Sequence, residues 1–129
     1  MNSFFLDTSV IIGYLKGDKD VVEMINSIKG ELGSSFIVLS ELYEGVFRSR
    51  YEIEDKVLSF FDSLDNVYGL DKEISKVFGQ VRQDLKSGGN VIEDIDIFIA
   101  ATCLANNCTL ITLNKKHFER IKNLKIFAP

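Results

Sequence analysis

The chain is 129 residues long, 46% hydrophobic and 26% charged, with nine glycines, one proline and no tryptophan. That is the size of one domain, 1–129, able to bury a core without disulfides or a structural metal; the composition excludes a disordered chain, and no apolar run reaches the ~18 residues of a membrane span. A formal net charge of −4 argues against a general polycationic binder of nucleic acid.

The opening Met1-Asn2-Ser3-Phe4 has no basic stretch, so it does not read as a signal peptide, and a cytoplasmic protein with no membrane association is expected. Phe4-Phe5-Leu6 reads as a short buried strand running into a turn at Asp7-Thr8-Ser9, followed by a helix over 10–15 that stops near Gly17. From Asp18, Val21, Val22, Ile25 and Ile28 recur at helical spacing until Gly30 and Gly33. Phe36-Ile37-Val38-Leu39 reads as a second buried strand, with Ser40 as N-cap of a helix that begins at Glu41-Leu42. The segment 53–64 places Val57, Phe60, Phe61 and Leu64 on one helical face. Val67-Tyr68 is a weak strand, Asp71 opens a helix that continues to about Leu85, and Gly88-Gly89-Asn90 is a loop without the Gly-Lys-Ser/Thr ending of a P-loop.

The segment 95–104 is apolar nearly all round, a helix buried on more than one side. Cys103 falls within it as a core residue. With Cys108 and a single histidine, the two thiols cannot supply the four ligands of a zinc site. Thr109 to Thr112 is a third clear strand, and 124–127 a last one. The final 29 residues hold Lys115, Lys116, Arg120, Lys122 and Lys125 against the single acid Glu119, whereas the rest of the chain holds the other 18 acids against ten bases. Strands that are continuous apolar runs alternating with helices indicate βαβ units, hence an α/β fold with a parallel sheet covered on both faces. Ligands of such sheets bind beyond the carboxyl ends of the strands, near the switch in strand order.

Three carboxylates fall there. Asp7 closes the first strand, Glu41 is placed in the first turn of its helix, and Asp96 lies in Glu93-Asp94-Ile95-Asp96 at the start of the buried helix. Each has a structural alternative: Asp7 as a helix cap, Glu41 as a complement to a helix N-terminus, and Asp94 as the cap that leaves Asp96 unexplained. Together they would repel unless a cation neutralised them, and carboxylate oxygens suit Mg²⁺ or Mn²⁺.

Phe5-Leu6-Asp7-Thr8-Ser9-Val10-Ile11-Ile12 resembles the opening of PIN-domain proteins, and Ser40-Glu41-Leu42-Tyr43-Glu44-Gly45 resembles their second motif. Asp96-Ile97-Phe98-Ile99-Ala100-Ala101 is similar to the third, and Thr109-Leu110-Ile111-Thr112-Leu113-Asn114 with Phe118-Glu119-Arg120-Ile121 to the closing strand and turn. At this length the likeness is to VapC-type toxins of toxin–antitoxin pairs. It implies a PIN-like, Rossmann-like α/β/α sandwich around a mostly parallel sheet of four to five strands, and an endoribonuclease dependent on Mg²⁺ or Mn²⁺. The resemblance assigns the principal metal-binding acids to Asp7, Glu41 and Asp96. It leaves the fourth position to Asn114, Glu119 or Asp94, and it places Thr8 and Thr112 as hydroxyls lining the site.

Lys115, Lys116 and Arg120, just past the closing strand, are expected to contact RNA phosphates, with Arg82 a weaker candidate. His117 reads as a surface or packing residue. The family likeness further implies a homodimer and an antitoxin lying across Ile11, Tyr14, Leu15 and the helix of Leu42, Tyr43 and Phe47, although all of these residues also suit a core. Two rival readings are a catalytically silent PIN module and a Mg²⁺-dependent phosphatase or phosphotransferase. The latter lacks the second acid expected two residues after Asp7, where Ser9 stands.

Overall fold

A computed structural model describes residues 2–49 and 51–129; Met1 and Arg50 lie outside it. Five strands, β1 (Ser3–Leu6), β2 (Glu31–Ser35), β3 (Asn66–Tyr68), β4 (Thr109–Ile111) and β5 (Ile126–Phe127), pair in parallel throughout in the order β3-β2-β1-β4-β5. Six helices flank the sheet: α1 (Thr8–Leu15), α2 (Lys19–Ser27), α3 (Phe36–Ser49), α4 (Glu54–Asp62), α5 (Lys72–Ser87) and α6 (Asp94–Asn106). This is the α/β, PIN-like architecture expected, with five strands and no antiparallel member.

Phe5 and Leu6 are consecutive in the central strand, so their side chains point to opposite faces. Both are fully buried, which shows that helices cover the sheet on both sides. α1 packs on α2 and α3, and α5 packs on α6. Phe78 of α5 stacks on Phe98 of α6 with ring centroids 4.1 Å apart, and Arg82 lies over Phe78 while pairing with Asp94. Asp18 and Asp71 cap α2 and α5 through bonds from Val21 N (3.2 Å) and Ile74 N (2.9 Å). Asn107 ends α6 in the left-handed conformation, turning the chain into β4.

The second strand differs from its expected place. It is Glu31–Ser35, and the apolar run 36–39 belongs to α3. Val38, Leu42 and Val46 are buried at a spacing of four, while Phe36 remains 56% exposed, the signature of one helical stripe. Small residues suit β2 because neighbouring chains approach it closely. A Cβ on Gly33 would sit 3.0 Å from the Asn66 carbonyl oxygen, and Ser34 Oγ donates to the Leu6 carbonyl at 2.9 Å.

The cap moves accordingly. Ser35 Oγ accepts from Val38 N at 3.3 Å, whereas Ser40 Oγ donates back to the Phe36 carbonyl within the helix. Glu41 is therefore in the second turn of α3, not the first. Nor does Asp94 cap α6: the cap position is Glu93, without a side-chain bond, and Asp94 is turned to Arg82.

Gly30 sets the start of β2. Its φ of +156° lets Glu31 N donate to the Asn2 carbonyl at 2.8 Å, and a Cβ there would lie 2.5 Å from that carbonyl oxygen. Gly30→Ala is expected to cost roughly 1–3 kcal/mol, read as a lower urea midpoint with an unchanged slope. An unchanged midpoint would show that the β1–β2 junction relaxes freely.

Candidate active site

Because all strands are parallel, their carboxyl ends share one edge of the sheet. The order β3-β2-β1-β4-β5 places the topological switch between β1 and β4, where ligands of such sheets bind. Asp7 immediately follows β1 and Thr112 immediately follows β4.

Asp7 is only 4% exposed. It is the N-cap of α1, its Oδ1 accepting from Val10 N at 3.1 Å and from Ser9 Oγ at 2.6 Å. Its other oxygen, Oδ2, accepts from the Thr112 hydroxyl across the switch. The Thr112 oxygen also accepts from Asn114 N at 2.9 Å, and Ser9 Oγ accepts from Leu113 N at 3.1 Å. The turn after β4 is thus tied to the start of α1 through the groups that hold Asp7. Burial pushes the Asp7 carboxyl above the usual carboxylate range, and the bonds from Ser9, Thr112 and Val10 counteract it only in part.

Glu41 reaches the same place from α3, its Oε1 accepting from Thr8 Oγ1 at 2.5 Å. Asp96 comes from the first turn of α6, and its Oδ2 lies 3.3 Å from His117 Nδ1. Burial also raises both of these carboxyls. For Glu41 the Thr8 bond opposes the rise, while the charges of Asp96 and Asp7 add to it. For Asp96, His117 opposes the rise and Glu93 and Asp7 add to it. The three acids expected at the strand ends are therefore electrostatic neighbours.

Thr8 and Thr112 meet carboxylates, each as the donor to one of them. Lys116 and Arg120 border a pocket of about 220 Å³ together with Asp96, His117, Glu93 and Ile92. Lys115 is exposed in the turn before it. Asn114 and Glu119 are exposed and bond through their backbones: Asn114 N donates to Thr112 Oγ1 and its carbonyl accepts from His117 N, and Glu119 N donates to the Lys115 carbonyl. Asp94 and Arg82 neutralise each other between α5 and α6, which turns both toward structure. Ile11 and Leu42 are core residues, at 0% and 4% exposure, rather than surface for a partner. Cys103 is fully buried, as expected, with its thiol pushed well above the ordinary range by burial.

Two residues were missed by sequence reasoning. Ser9 donates to Asp7 and accepts from the β4 turn; its signal was its place in the Asp7-Thr8-Ser9 turn. His117, read as surface or packing, stands beside Asp96; its signal was being the lone histidine in the basic turn after the closing strand.

Oxygen donors dominate this cluster, a chemistry suited to a hard divalent cation with several waters. Among the described residues, no three acidic, histidine or cysteine side chains converge on one metal-binding point; hydroxyls hold the carboxylates individually. A cation drawing on one or two carboxylates at a time fits this arrangement better than an all-protein cage.

Comparison with known proteins agrees with this fold. The PIN domain family pattern matches residues 4–124. The chain is 35% identical over 128 residues to Ribonuclease VapC1 of Methanocaldococcus jannaschii, covering 98% of this chain and 88% of that protein. VapBC2 from Rickettsia felis, solved bound to a DNA fragment from its promoter, superposes with a TM-score of 0.88 at 27% identity, over 98% of both chains. DNA-bound VapBC from Salmonella typhimurium superposes at 0.89 and 27% identity, over 99% of this chain and 98% of that one. With its acids at the β1–β4 switch and this likeness over nearly its whole length, the chain belongs to the PIN-domain family, among the VapC ribonucleases.

Proposed function

We propose that this ribonuclease cuts RNA phosphodiester bonds at Asp7, Glu41 and Asp96, with Mg²⁺ or Mn²⁺ as cofactor. The observation that carries the reading is the meeting of three burial-raised carboxylates at the switch of a parallel sheet. Among the described residues, only one basic side chain, the His117 imidazole, lies within ion-pair distance of any of them. Like charges so placed call for a cation.

Asp7 and Asp96 would hold that cation, with Glu41 in support. Once bound, it would supply positive charge to the phosphate and acidify the attacking water. The chain's own contribution is orientation. Thr112 and Ser9 fix the two oxygens of Asp7, Thr8 fixes Glu41, and His117 fixes Asp96. Lys116 and Arg120 offer cationic groups to neighbouring phosphates on the Asp96 side. In this reading Asn114, Glu119 and Asp94 are not principal ligands, and Lys115 adds only to the local positive field.

Relatives solved as VapBC complexes support a further expectation, that a cognate antitoxin restrains this chain. A groove of about 530 Å³ between α1 and α3 borders Thr8 and Glu41 and is lined by Ile12, Leu15, Gly45 and Ile53, a suitable seat for such a segment. Among the described residues, no helix is long and apolar enough to cross a membrane; action on RNA in the cytoplasm as a homodimer completes the proposal.

Asp7→Asn and Asp96→Asn are each expected to reduce RNA cleavage in Mg²⁺ by at least about 10³-fold while keeping the circular dichroism spectrum; parental rates would overturn the assignment. Thr112→Val keeps the shape but removes the donor to Asp7, so cleavage should fall about tenfold or more and its acidic limb should move to higher pH. The raised carboxyls also set a pH dependence of stability. A carboxyl raised in the folded state stabilises it below the unfolded pKa of about 4, and that contribution is lost as pH rises through the folded value. In a chelator, Asp7→Asn should therefore gain melting temperature over the parent as pH rises from about 4 to 7, and added Mg²⁺ should narrow the gap. Parallel melting curves across pH would contradict this account.

A further inference from the structure

We propose that the cavity between α5 and the turn 118–123 is a nucleotide subsite, taking one base of single-stranded RNA away from the bond that is cut. The proposal deepens the ribonuclease reading and rests on it. The cavity measures about 580 Å³. Val77, Val81 and Leu104 give it an apolar wall, and Asn90, Asn123 and Lys122 a polar rim. Arg120 lines this cavity and also the smaller pocket that holds Asp96 and His117. One guanidinium therefore joins the acid cluster to the larger cavity.

The chemistry selects the occupant. Apolar walls accept the faces of a base, side-chain amides match its hydrogen-bonding edge, and RNA is read in this way where bases are unstacked. Asp84 also borders the cavity, which disfavours a phosphate inside it. A phosphate is instead placed at the rim, against Arg120 and Lys122. Those charges are available: among the described residues Lys116, Arg120 and Lys122 form no ion pair, whereas Arg82 on the neighbouring helix is neutralised by Asp94. A strand leaving the acids past Lys116 meets Arg120 and then the cavity. Lys122, which sequence reasoning left without a role, becomes the residue that sets how far the RNA is gripped.

Two variants test this. Lys122→Glu reverses the rim charge, and Ser87→Trp, at the exposed end of α5, fills the cavity. RNAs of about four and about twelve nucleotides are compared, a range spanning usual single-strand site sizes. Each variant is expected to lower kcat/KM on the longer RNA about tenfold more than on the shorter one. Binding of the longer RNA is read by fluorescence anisotropy in the Asp7→Asn background, so that this arm stands even where no cutting occurs. There both variants should weaken binding about tenfold, and Lys122→Glu should lower the salt slope by about 0.7. Affinity within twofold of the parent for both variants overturns the subsite. Sensitivity to Lys122→Glu with none to Ser87→Trp overturns it too, reducing the effect to diffuse attraction. Absence of cleavage with both RNAs by the parent counts against the ribonuclease site and leaves the binding arm to decide the cavity.

Discussion

A carboxylate placed almost out of solvent at the centre of a parallel sheet is the constraint around which the molecule is arranged. Removing such a charge from water costs several kcal/mol unless hydrogen bonds replace the lost hydration. Asp7 receives them from three sources: the amide of Val10 at the start of α1, the Ser9 hydroxyl, and the Thr112 hydroxyl beyond β4. These sources require two separate parts of the fold to be in place. The adjacency of β1 and β4 supplies Thr112, and the immediate turn into α1 supplies the other two. Bonds of this kind contribute about 1.5–3 kcal/mol each, yet the Asp7 carboxyl stays above its ordinary range. The fold holds the charge in place without fully satisfying it, the condition in which a cation is welcome.

The same economy explains how an acidic chain handles a polyanion. Its net charge is −4, but its last 29 residues hold five bases against one acid. The acids that matter are clustered and tethered by hydroxyls. Among the described residues, Lys116, Arg120 and Lys122 form no ion pair, and they border two cavities that share Arg120. Attraction for RNA is then local, and non-specific binding should be modest and sensitive to salt.

Most of this was legible in the residues because local signals agreed with the global fold. Phe4-Phe5-Leu6 ending in Asp7, Asp71 opening α5, and the apolar 95–104 helix each carried their own evidence. β2 did not. Its small residues, Gly33, Ser34 and Ser35, are there because neighbouring backbone comes close, a demand that only the folded state makes. The apolar run beside it took the strand assignment, although Val38, Leu42 and Val46 already marked a helical stripe. Glu41 was found as a candidate despite that error, because motif resemblance does not depend on element boundaries. His117 escaped because its neighbour, Asp96, is 21 positions away in sequence and becomes adjacent only when the β4 turn folds back over α6.

The Thr112–Asp7 bond joins residues 105 positions apart. β1, which runs into Asp7, leaves the ribosome long before its partner strand β4. Contacts of such separation form late, since the intervening chain must be ordered first. A growing chain therefore has no assembled centre until Thr112 has been added and β4 has docked. For a nuclease translated from the kind of molecule it cuts, the sheet order acts as a delay: the messenger has to be read through β4 before its product holds an assembled centre.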